Sequence, residues 1–336
     1  MKNLDIHAGI EGRLENIRRR NRALSERRKS EVLEAIPQIG EIYSGYINES
    51  LAWLQKNLNT NNTDNFGLKK RNAETISKIS ALLSENGYPA NYLDPVYECT
   101  ACSDTGYITK NGRKTRCGCI GVYASKEIYS EAEFTLPADI SFSFFDASLF
   151  SGYDSDSKKN KNEYMLSVKN LLSSFCQNQK PRNYYIFGKT GTGKTFLMVS
   201  MAKALLENMI PSLYITSNTL FKITQEYKAS MFSDEKADPY LYDFIYSTRV
   251  LLIDDLGSEP VTPSRYSELL EILNHRIRKG ISTIFASNLS PLDLKKMYDE
   301  RICSRIIGTF DTIKLPGDDI RLVLKRRSKE RQRSES

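Results

Sequence analysis

Eight residues near the middle of the chain have the types and spacing of a phosphate-binding loop. They are Gly188, Lys189, Thr190, Gly191, Thr192, Gly193, Lys194 and Thr195. Glycines let backbone N–H groups turn toward the phosphates of a nucleotide, the second lysine adds a positive charge, and the final hydroxyl is a ligand for Mg²⁺. An apolar run, 184–187, precedes the loop and an apolar helical pattern follows it. The sequence therefore predicts a strand, a phosphate loop and a helix, with a nucleotide and Mg²⁺ as ligands.

Polar side chains follow two further predicted strands, where they would complete such a site. The apolar run 250–253 ends in Asp254 and Asp255. We predict that Asp254 holds the Mg²⁺ shell and that Asp255 orients or deprotonates the attacking water. The strand 283–286 leads to Asn288, for which two roles stay open: an amide that positions water, or a simple turn residue.

Four of the six cysteines have the spacing of a metal site. Cys99 and Cys102 are separated from Cys117 and Cys119 by a predicted hairpin with Asn111-Gly112 at its turn. Four thiolates on two turns bind Zn²⁺ tetrahedrally and stabilise a module that lacks a core. We predict structural zinc here, with redox pairing or an iron–sulfur cluster as alternatives. The other two cysteines are interpreted as small residues packed on helices.

The pattern of apolar residues divides the chain into a helical part and an alternating part. Three amphipathic helices are predicted at 9–36, 39–58 and 68–85. Beyond residue 160 helices and strands alternate, which is typical of a parallel sheet covered on both faces. The predicted domains are a helical N-terminal domain (1–95), a four-cysteine zinc module (96–122), a linker (123–160) and a nucleotide domain with a basic C-terminal tail (161–336).

Composition limits the class of protein. Apolar residues make up 40% of the 336 and charged residues 26%, which is ordinary globular composition. No apolar run approaches the roughly 20 residues that span a bilayer, and the first 20 residues lack a secretory pattern, so we expect a cytoplasmic protein without a membrane segment. Its formal net charge of +7 is a modest indication of an anionic partner.

Taken together, these motifs resemble the AAA+ ATPases, and among them the bacterial replicative helicase loaders of the DnaC/DnaI type. Residues 188–195 are similar to the Walker A motif of that family, 253–257 to its Walker B motif, and Ser287-Asn288 to its sensor 1. The stretch 143–146 resembles the family's lead-in to the nucleotide domain. The resemblance implies ATP as the nucleotide and an AAA+ P-loop fold, a parallel sheet with flanking helices. Only 48 residues follow Asn288, so we expect a reduced lid.

The resemblance also implies two arginine roles. Residues 300–306 are similar to the segment that presents an arginine finger to a neighbouring subunit, which makes Arg305 the candidate finger and Arg301 the alternative. An arginine at that position neutralises charge that develops on the γ-phosphate. Residues 317–321 resemble the sensor 2 region and make Arg321 a nucleotide contact. The second Walker B carboxylate is Asp where many AAA+ proteins have Glu, so we expect slow hydrolysis.

The function that this resemblance implies is an ATP-dependent helicase loader in DNA replication. Its partners would be a hexameric replicative helicase, single-stranded DNA and further copies of the chain through the ATPase domain. An IstB-like transposition helper, which would bind duplex DNA and a transposase, is the main alternative; a small-molecule P-loop kinase and a passive zinc adaptor are weaker ones. Cations and aromatics alternate along 214–228, and the resemblance makes Lys222 and Lys228 candidate DNA contacts, although such a pattern is more often that of an amphipathic helix packed on its sheet.

Overall fold

The computed structural model describes residues 6–57, 66–131, 134–154, 159–178, 180–233, 239–260, 262–317, 319–325 and 327. Within them the chain divides into two units, Gly12–Ile108 and the combination of Met1–Glu11 with Thr109–Ser336. Most of the segment between the second and third predicted helices, and most of the basic tail, lies outside the described residues. Among the helices described, none is long and apolar enough to cross a membrane.

Three helices form the N-terminal part as the periodicity predicts. They are α1 (Ile6–Ala35), α2 (Pro37–Asn57) and α3 (Phe66–Glu85). Pro37 separates the first two because proline is accepted at the first position of a helix but not in its interior. Val32, Ile36, Ile39, Ile79 and Leu83 make the buried core of the smaller unit.

The segment that joins the helices to the nucleotide domain contains more regular structure than the sequence predicts. It holds β1 (Tyr107–Lys110), β2 (Arg113–Arg116), α4 (Gly118–Ser130), β3 (Tyr153–Asp154) and β4 (Lys159–Asn160). Asn111 and Gly112 have φ values of +52° and +73°, as the predicted Asn-Gly turn requires. The predicted linker, 123–160, therefore includes most of α4, whose side chains of Val122, Tyr123 and Ile128 are buried.

The nucleotide domain is a parallel five-stranded sheet with helices on both sides, as predicted. Its elements are α5 (Lys161–Gln177), β5 (Tyr184–Phe187), α6 (Lys194–Glu207), β6 (Ser212–Thr216), α7 (Ser217–Ser230), α8 (Tyr240–Ser247), β7 (Val250–Leu256), α9 (Pro263–Lys279), β8 (Ser282–Ser287), α10 (Pro291–Met297), α11 (Glu300–Thr309) and β9 (Asp311–Lys314). The strand order is β6-β7-β8-β5-β9. Strands β7 and β8 are almost wholly buried, because helices cover both of their faces.

Strand order decides where a ligand can bind. The strand before the phosphate loop, β5, lies between β8 and β9, and β7 is the next strand beyond β8. All pairings are parallel, so the loops after β5, β7 and β8 leave the same edge of the sheet. Open α/β sheets bind ligands at this carboxyl edge. The fold therefore brings the loops with the predicted site residues together.

Candidate nucleotide site

The phosphate loop connects β5 to the first turn of α6. Helix α6 begins at Lys194, and Gly193 precedes it with a left-handed backbone at φ +92°. The N–H groups at the start of a helix have no partner inside the helix and carry partial positive charge, which favours anions. Gly191 also has a left-handed backbone, at φ +79°. Two of the three glycines are thus required by backbone conformation.

Gly188 is required for a different reason. A Cβ atom at this position would lie 2.6 Å from the carbonyl oxygen of Leu315 and 3.2 Å from the Leu315 Cβ. The loop runs this close to the chain after β9 because the Leu315 N–H donates to the Phe187 carbonyl at 2.7 Å. The first glycine of the motif therefore lets two main-chain segments approach each other.

Lys194 is almost fully buried and lies within its own loop. Its Nζ donates to the carbonyl oxygens of Gly188 and Lys189, both at 2.8 Å. Burial lowers the pKa of Lys194, while the nearby carboxylates of Asp254 and Asp255 act in the opposite direction. The amine is held among polar atoms at the base of the loop, where a positive charge can bind phosphate oxygens.

Asp254 lies opposite the loop with its carboxylate fixed from several directions. It is 1% exposed. Its Oδ1 accepts the Asp255 N–H at 2.9 Å, and its Oδ2 accepts the Tyr214 hydroxyl at 3.0 Å. Burial raises the pKa of Asp254, and hydrogen bonds from Thr195 and Tyr214 oppose the rise. Thr195 and Asp254, the two predicted Mg²⁺ ligands, therefore lie close enough to influence each other electrostatically.

A bulge in β7 contains the two acidic residues, Asp254 and Asp255. Ile253 pairs with Phe285 of β8, but the next pair is Leu256 with Ser287, so one extra residue is inserted in β7. Asp255 takes up the distortion with a left-handed backbone at φ +56°. Bulges redirect side chains next to sites, and here Asp255 lines the cavity above the loop.

This cavity has a volume of about 640 Å³ and a lining of polar and apolar residues. The polar group, called the polar end, consists of Lys194, Thr195, Asp255, Asn288 and Arg321. The apolar group consists of Ile140, Phe144, Phe145, Leu149, Phe150, Ile320 and Leu324. Such a combination suits a ligand that has an anionic end and a flat apolar end.

Arg321 reaches the cavity from the segment after β9. Its guanidinium forms a two-pronged ion pair with Asp319, with Nε–Oδ1 at 2.9 Å and Nη2–Oδ2 at 2.7 Å. Hydrogen bonds from Arg321 lower the pKa of Asp319. The Ile320 N–H donates to the Gly191 carbonyl at 2.9 Å, which ties the segment to the phosphate loop.

Arg305 is not among the residues that line this cavity. It lies on α11, where its Nε donates to the Asn274 side chain of α9 and its Nη1 to the Arg301 carbonyl at 3.0 Å. Its assignment as a finger for a neighbouring subunit stays a prediction.

Lys228, a candidate DNA contact, is paired with carboxylates of α9. Its Nζ donates to Glu268, which is 4% exposed, and lies 4.0 Å from Glu271. The hydrogen bond with Glu268 raises the pKa of Lys228. This pairing agrees with an amphipathic helix packed on its own domain, and the DNA contact of Lys228 stays a prediction.

The four predicted metal ligands lie together. The Sγ atoms of Cys99, Cys102, Cys117 and Cys119 are all within 4.8 Å of one another. The prediction of a cysteine cluster able to hold a metal is confirmed, and the identity of the metal stays a prediction.

Asp104, which motif spacing alone does not single out, organises the first cysteine turn. It is 1% exposed, and its carboxylate accepts the N–H groups of Cys99 at 2.7 Å and Glu98 at 3.1 Å, and the Asn21 side chain at 2.9 Å. The Gly106 N–H donates to the Cys102 Sγ at 3.4 Å. The sequence signal for this role is an acidic residue two positions after the second cysteine of the first pair.

Glu259 and Tyr214 are two further polar residues near the nucleotide cavity that motif spacing does not reveal. The Glu259 carboxylate accepts the Gly257 N–H and lies 2.5 Å from the Ser217 hydroxyl, which is also 3.0 Å from the Asp255 carbonyl. Burial raises the pKa of Glu259. The sequence predicts Tyr214 only as part of the 214–228 stretch, yet its hydroxyl donates to Asp254.

Two curated proteins are similar to this chain in sequence. The replicative helicase loader DnaI of Bacillus subtilis (strain 168) is 29% identical over 167 residues, which are 46% of this chain and 52% of that protein. An insertion sequence IS21 putative ATP-binding protein of Pseudomonas aeruginosa is 23% identical over 155 residues, 45% of this chain and 56% of that protein. The chain thus spans about half the length of these curated relatives.

Solved structures with a similar chain course include the DnaC helicase loader and DnaI. The DnaC loader has a TM-score of 0.41 at 23% identity, and the match covers 48% of this chain and 95% of the DnaC chain. DnaI has a TM-score of 0.39 at 23% identity, and the match covers 53% of this chain and 94% of the DnaI chain.

The match to a family model is broader. The model for IstB-like ATP binding proteins matches residues 150–328, a segment that contains every part of the cavity's polar end. The prediction of an AAA+ P-loop ATPase is confirmed by it. Since the model spans just over half of the 336 residues, the chain belongs to the family of IstB-like ATP-binding proteins, which are P-loop ATPases.

Proposed function

We propose that the chain is an ATP-dependent helicase loader in DNA replication. It would bind a hexameric replicative helicase and single-stranded DNA under the control of ATP binding and slow hydrolysis. The observation that carries the nucleotide part is the cavity, at whose polar end the phosphate loop, Asp255, Asn288 and Arg321 converge. The likeness to the replicative helicase loader DnaI supports the role in replication.

The donor atoms of the polar end fit a magnesium-bound triphosphate. A hydroxyl and a carboxylate, from Thr195 and Asp254, are the oxygen ligands that Mg²⁺ prefers, and these two residues would hold it. When bound, Mg²⁺ neutralises charge on the phosphate oxygens. The loop N–H groups and Lys194 bind the phosphates, and Arg321 contacts the terminal one. The apolar residues of the cavity lining would receive the base.

Hydrolysis depends on two polar groups at the same edge. Asp255 orients or deprotonates the attacking water, and Asn288 positions it. Arg305 of a neighbouring copy would neutralise the charge that develops on the terminal phosphate, so hydrolysis would depend on assembly. An Arg305→Ala protein should bind ATP normally and lose the stimulation of hydrolysis by self-association. Full stimulation in that variant would exclude Arg305 as the finger.

The helical unit offers the surface for the helicase. Ile47 and Leu51 lie one turn apart on α2 and Ile76 on α3, and all three are more than half exposed. Exposed apolar residues at helical spacing are typical of a protein-docking face. We assign the helicase contact to this apolar face of α2 and α3.

We also propose that the cysteine cluster holds structural zinc. Four thiols clustered within 4.8 Å match the ligand set of a closed zinc site. Such a site would fix the chain around β1 and β2, whose residues are mostly exposed.

Co-purification tests the assignment of function. The tagged full chain should capture the replicative helicase encoded in the same genome when ATP and Mg²⁺ are present. An Ile47→Asp/Leu51→Asp variant should lose the helicase and keep ATP binding. Leu292→Asp is the matched control, because Leu292 is 70% exposed on α10, within the nucleotide domain. Capture by the double variant at the wild-type level would contradict the docking face.

A transposition helper is the second candidate, favoured by the family match and by the IS21 relative. In that case the chain would bind duplex DNA and a transposase. Failure to capture the helicase, together with ATP-dependent binding to duplex rather than single-stranded DNA, would support it over the loader.

A further inference from the structure

Tyr214 places a hydroxyl group on the buried carboxylate of the nucleotide site. It lies on β6, and its hydroxyl donates to the Asp254 Oδ2 at 3.0 Å. The other oxygen, Oδ1, accepts the Asp255 N–H at 2.9 Å. A carboxylate has about four lone-pair positions, so each oxygen keeps capacity for another partner while its orientation is fixed.

The backbone of Tyr214 is itself held on both sides. On one side β6 pairs with β7, where Tyr214 is opposite Leu252 and Thr216 is opposite Asp254. On the other side β6 is the edge strand of the sheet, and hydroxyl groups of α4 replace a further strand. The Tyr129 hydroxyl accepts the Tyr214 N–H at 2.7 Å, and the Ser125 hydroxyl accepts the Ser212 N–H at 3.0 Å.

This arrangement leaves the tyrosine little freedom to move. Tyr129 is 8% exposed, and its hydroxyl is 3.3 Å from the Ser212 carbonyl as well. The ring of Tyr214 packs against the main hydrophobic core of the nucleotide domain. A donor that is fixed at its backbone and at its ring can hold the group that it contacts.

We propose that Tyr214 is a positioning residue for Asp254, which it holds in the orientation that binds the Mg²⁺ of a magnesium–nucleotide complex. The proposal rests on the proposed nucleotide site and deepens it. A neutral hydroxyl orients the carboxylate and leaves its negative charge intact, whereas a lysine or arginine would neutralise that charge. Residues that hydrogen-bond to metal ligands usually account for about 10–100-fold in metal affinity.

Replacing Tyr214 by phenylalanine removes the hydroxyl and keeps the ring. We expect the Tyr214→Phe full chain to bind a non-hydrolysable ATP analogue in EDTA as the wild type does. The Mg²⁺ concentration that gives half of the magnesium-dependent gain in affinity should rise about tenfold or more. Calorimetric titrations in EDTA and at a series of Mg²⁺ concentrations measure both quantities, and thermal unfolding in EDTA checks the fold.

Tyr246→Phe is the matched control. The Tyr246 hydroxyl also donates to a carboxylate, that of Glu268 at 2.8 Å, but neither residue lines the nucleotide cavity. This variant should keep the Mg²⁺ requirement of the wild type.

Three results would overturn the proposal. An unchanged Mg²⁺ requirement in Tyr214→Phe would show that the hydroxyl does not position Asp254. An equal loss of analogue affinity in EDTA and in Mg²⁺, or a variant that does not fold, would assign the hydroxyl to the structure of the domain. A wild-type chain without magnesium-dependent nucleotide binding would overturn the proposed function itself and this proposal with it.

Discussion

The glycine that begins the phosphate loop, Gly188, gives the most direct test of the packing at the site. A Gly188→Ala Cβ would lie 2.6 Å from the Leu315 carbonyl oxygen, 3.1 Å from the Thr192 Oγ1 and 3.2 Å from the Leu315 Cβ. The nearest atom belongs to the main chain and cannot rotate away. The chain after β9 must therefore move.

The cost of this movement has two parts. Overpacking in a well-packed region costs about 1–3 kcal/mol. Separation of the two segments also weakens the 2.7 Å hydrogen bond from the Leu315 N–H to the Phe187 carbonyl, which adds about 0.5–1.5 kcal/mol. We expect the free energy of unfolding to fall by roughly 2–4 kcal/mol. For a domain of this size that lowers Tm by roughly 5–15 °C.

Thermal unfolding without nucleotide is the assay, since the effect arises from packing. Gly308→Ala is the control: this glycine lies in α11 with nothing within 4 Å of a new Cβ, so alanine should leave Tm unchanged or raise it slightly. A Gly188→Ala protein that melts with the wild type would refute the packing role, and Gly188 would then matter only for phosphate binding.

Three other predictions concern the metal cluster, a buried acid and a buried arginine. Cys117→Ser should reduce zinc in the purified chain from about one equivalent to well under half, whereas Cys303→Ser should not, and metal analysis decides between them. Burial raises the pKa of Glu259, so the native state loses stability as pH rises through the normal carboxyl range up to the raised pKa. In urea titrations, the free energy of unfolding of Glu259→Gln should be close to that of the wild type at low pH and should exceed it above that range. Profiles of the two proteins that stay parallel with pH would contradict this. Arg276→Met should lower the free energy of unfolding by about 3 kcal/mol, because Arg276 donates to three buried carbonyl groups that would lose their donor. An unchanged urea midpoint in this variant would contradict that loss of stability.

The parts of the fold that depend on local patterns could be predicted from the sequence. The β5 bounds, 184–187, are the same in prediction and structure, because an apolar run ending in a glycine loop defines its own limits. The predicted strand 283–286 lies within β8, Ser282–Ser287. Helix α8, Tyr240–Ser247, was not predicted, because eight residues are too few to show a clear helical period.

Contacts between distant segments set the rest of the site. The sequence alone indicates that Lys228 is an exposed cation. Its partner Glu268 lies on α9, and the packing of α7 against α9 brings the two side chains together. Asp319 lies beside Gly191 and pairs with Arg321, although no spacing rule links the phosphate loop to a residue 128 positions later. Motifs reveal the groups that touch a ligand, whereas the residues that orient them depend on the tertiary fold.

The second carboxylate of the β7 motif illustrates how backbone conformation limits residue choice. On a regular strand, residues 254 and 255 would point to opposite faces. A bulge in β7 interrupts the regular strand at these residues, and Asp255 has a left-handed backbone with φ +56°. Among residues with a side chain, aspartate and asparagine are several-fold enriched in that conformation. The backbone thus favours Asp over the longer Glu at this position.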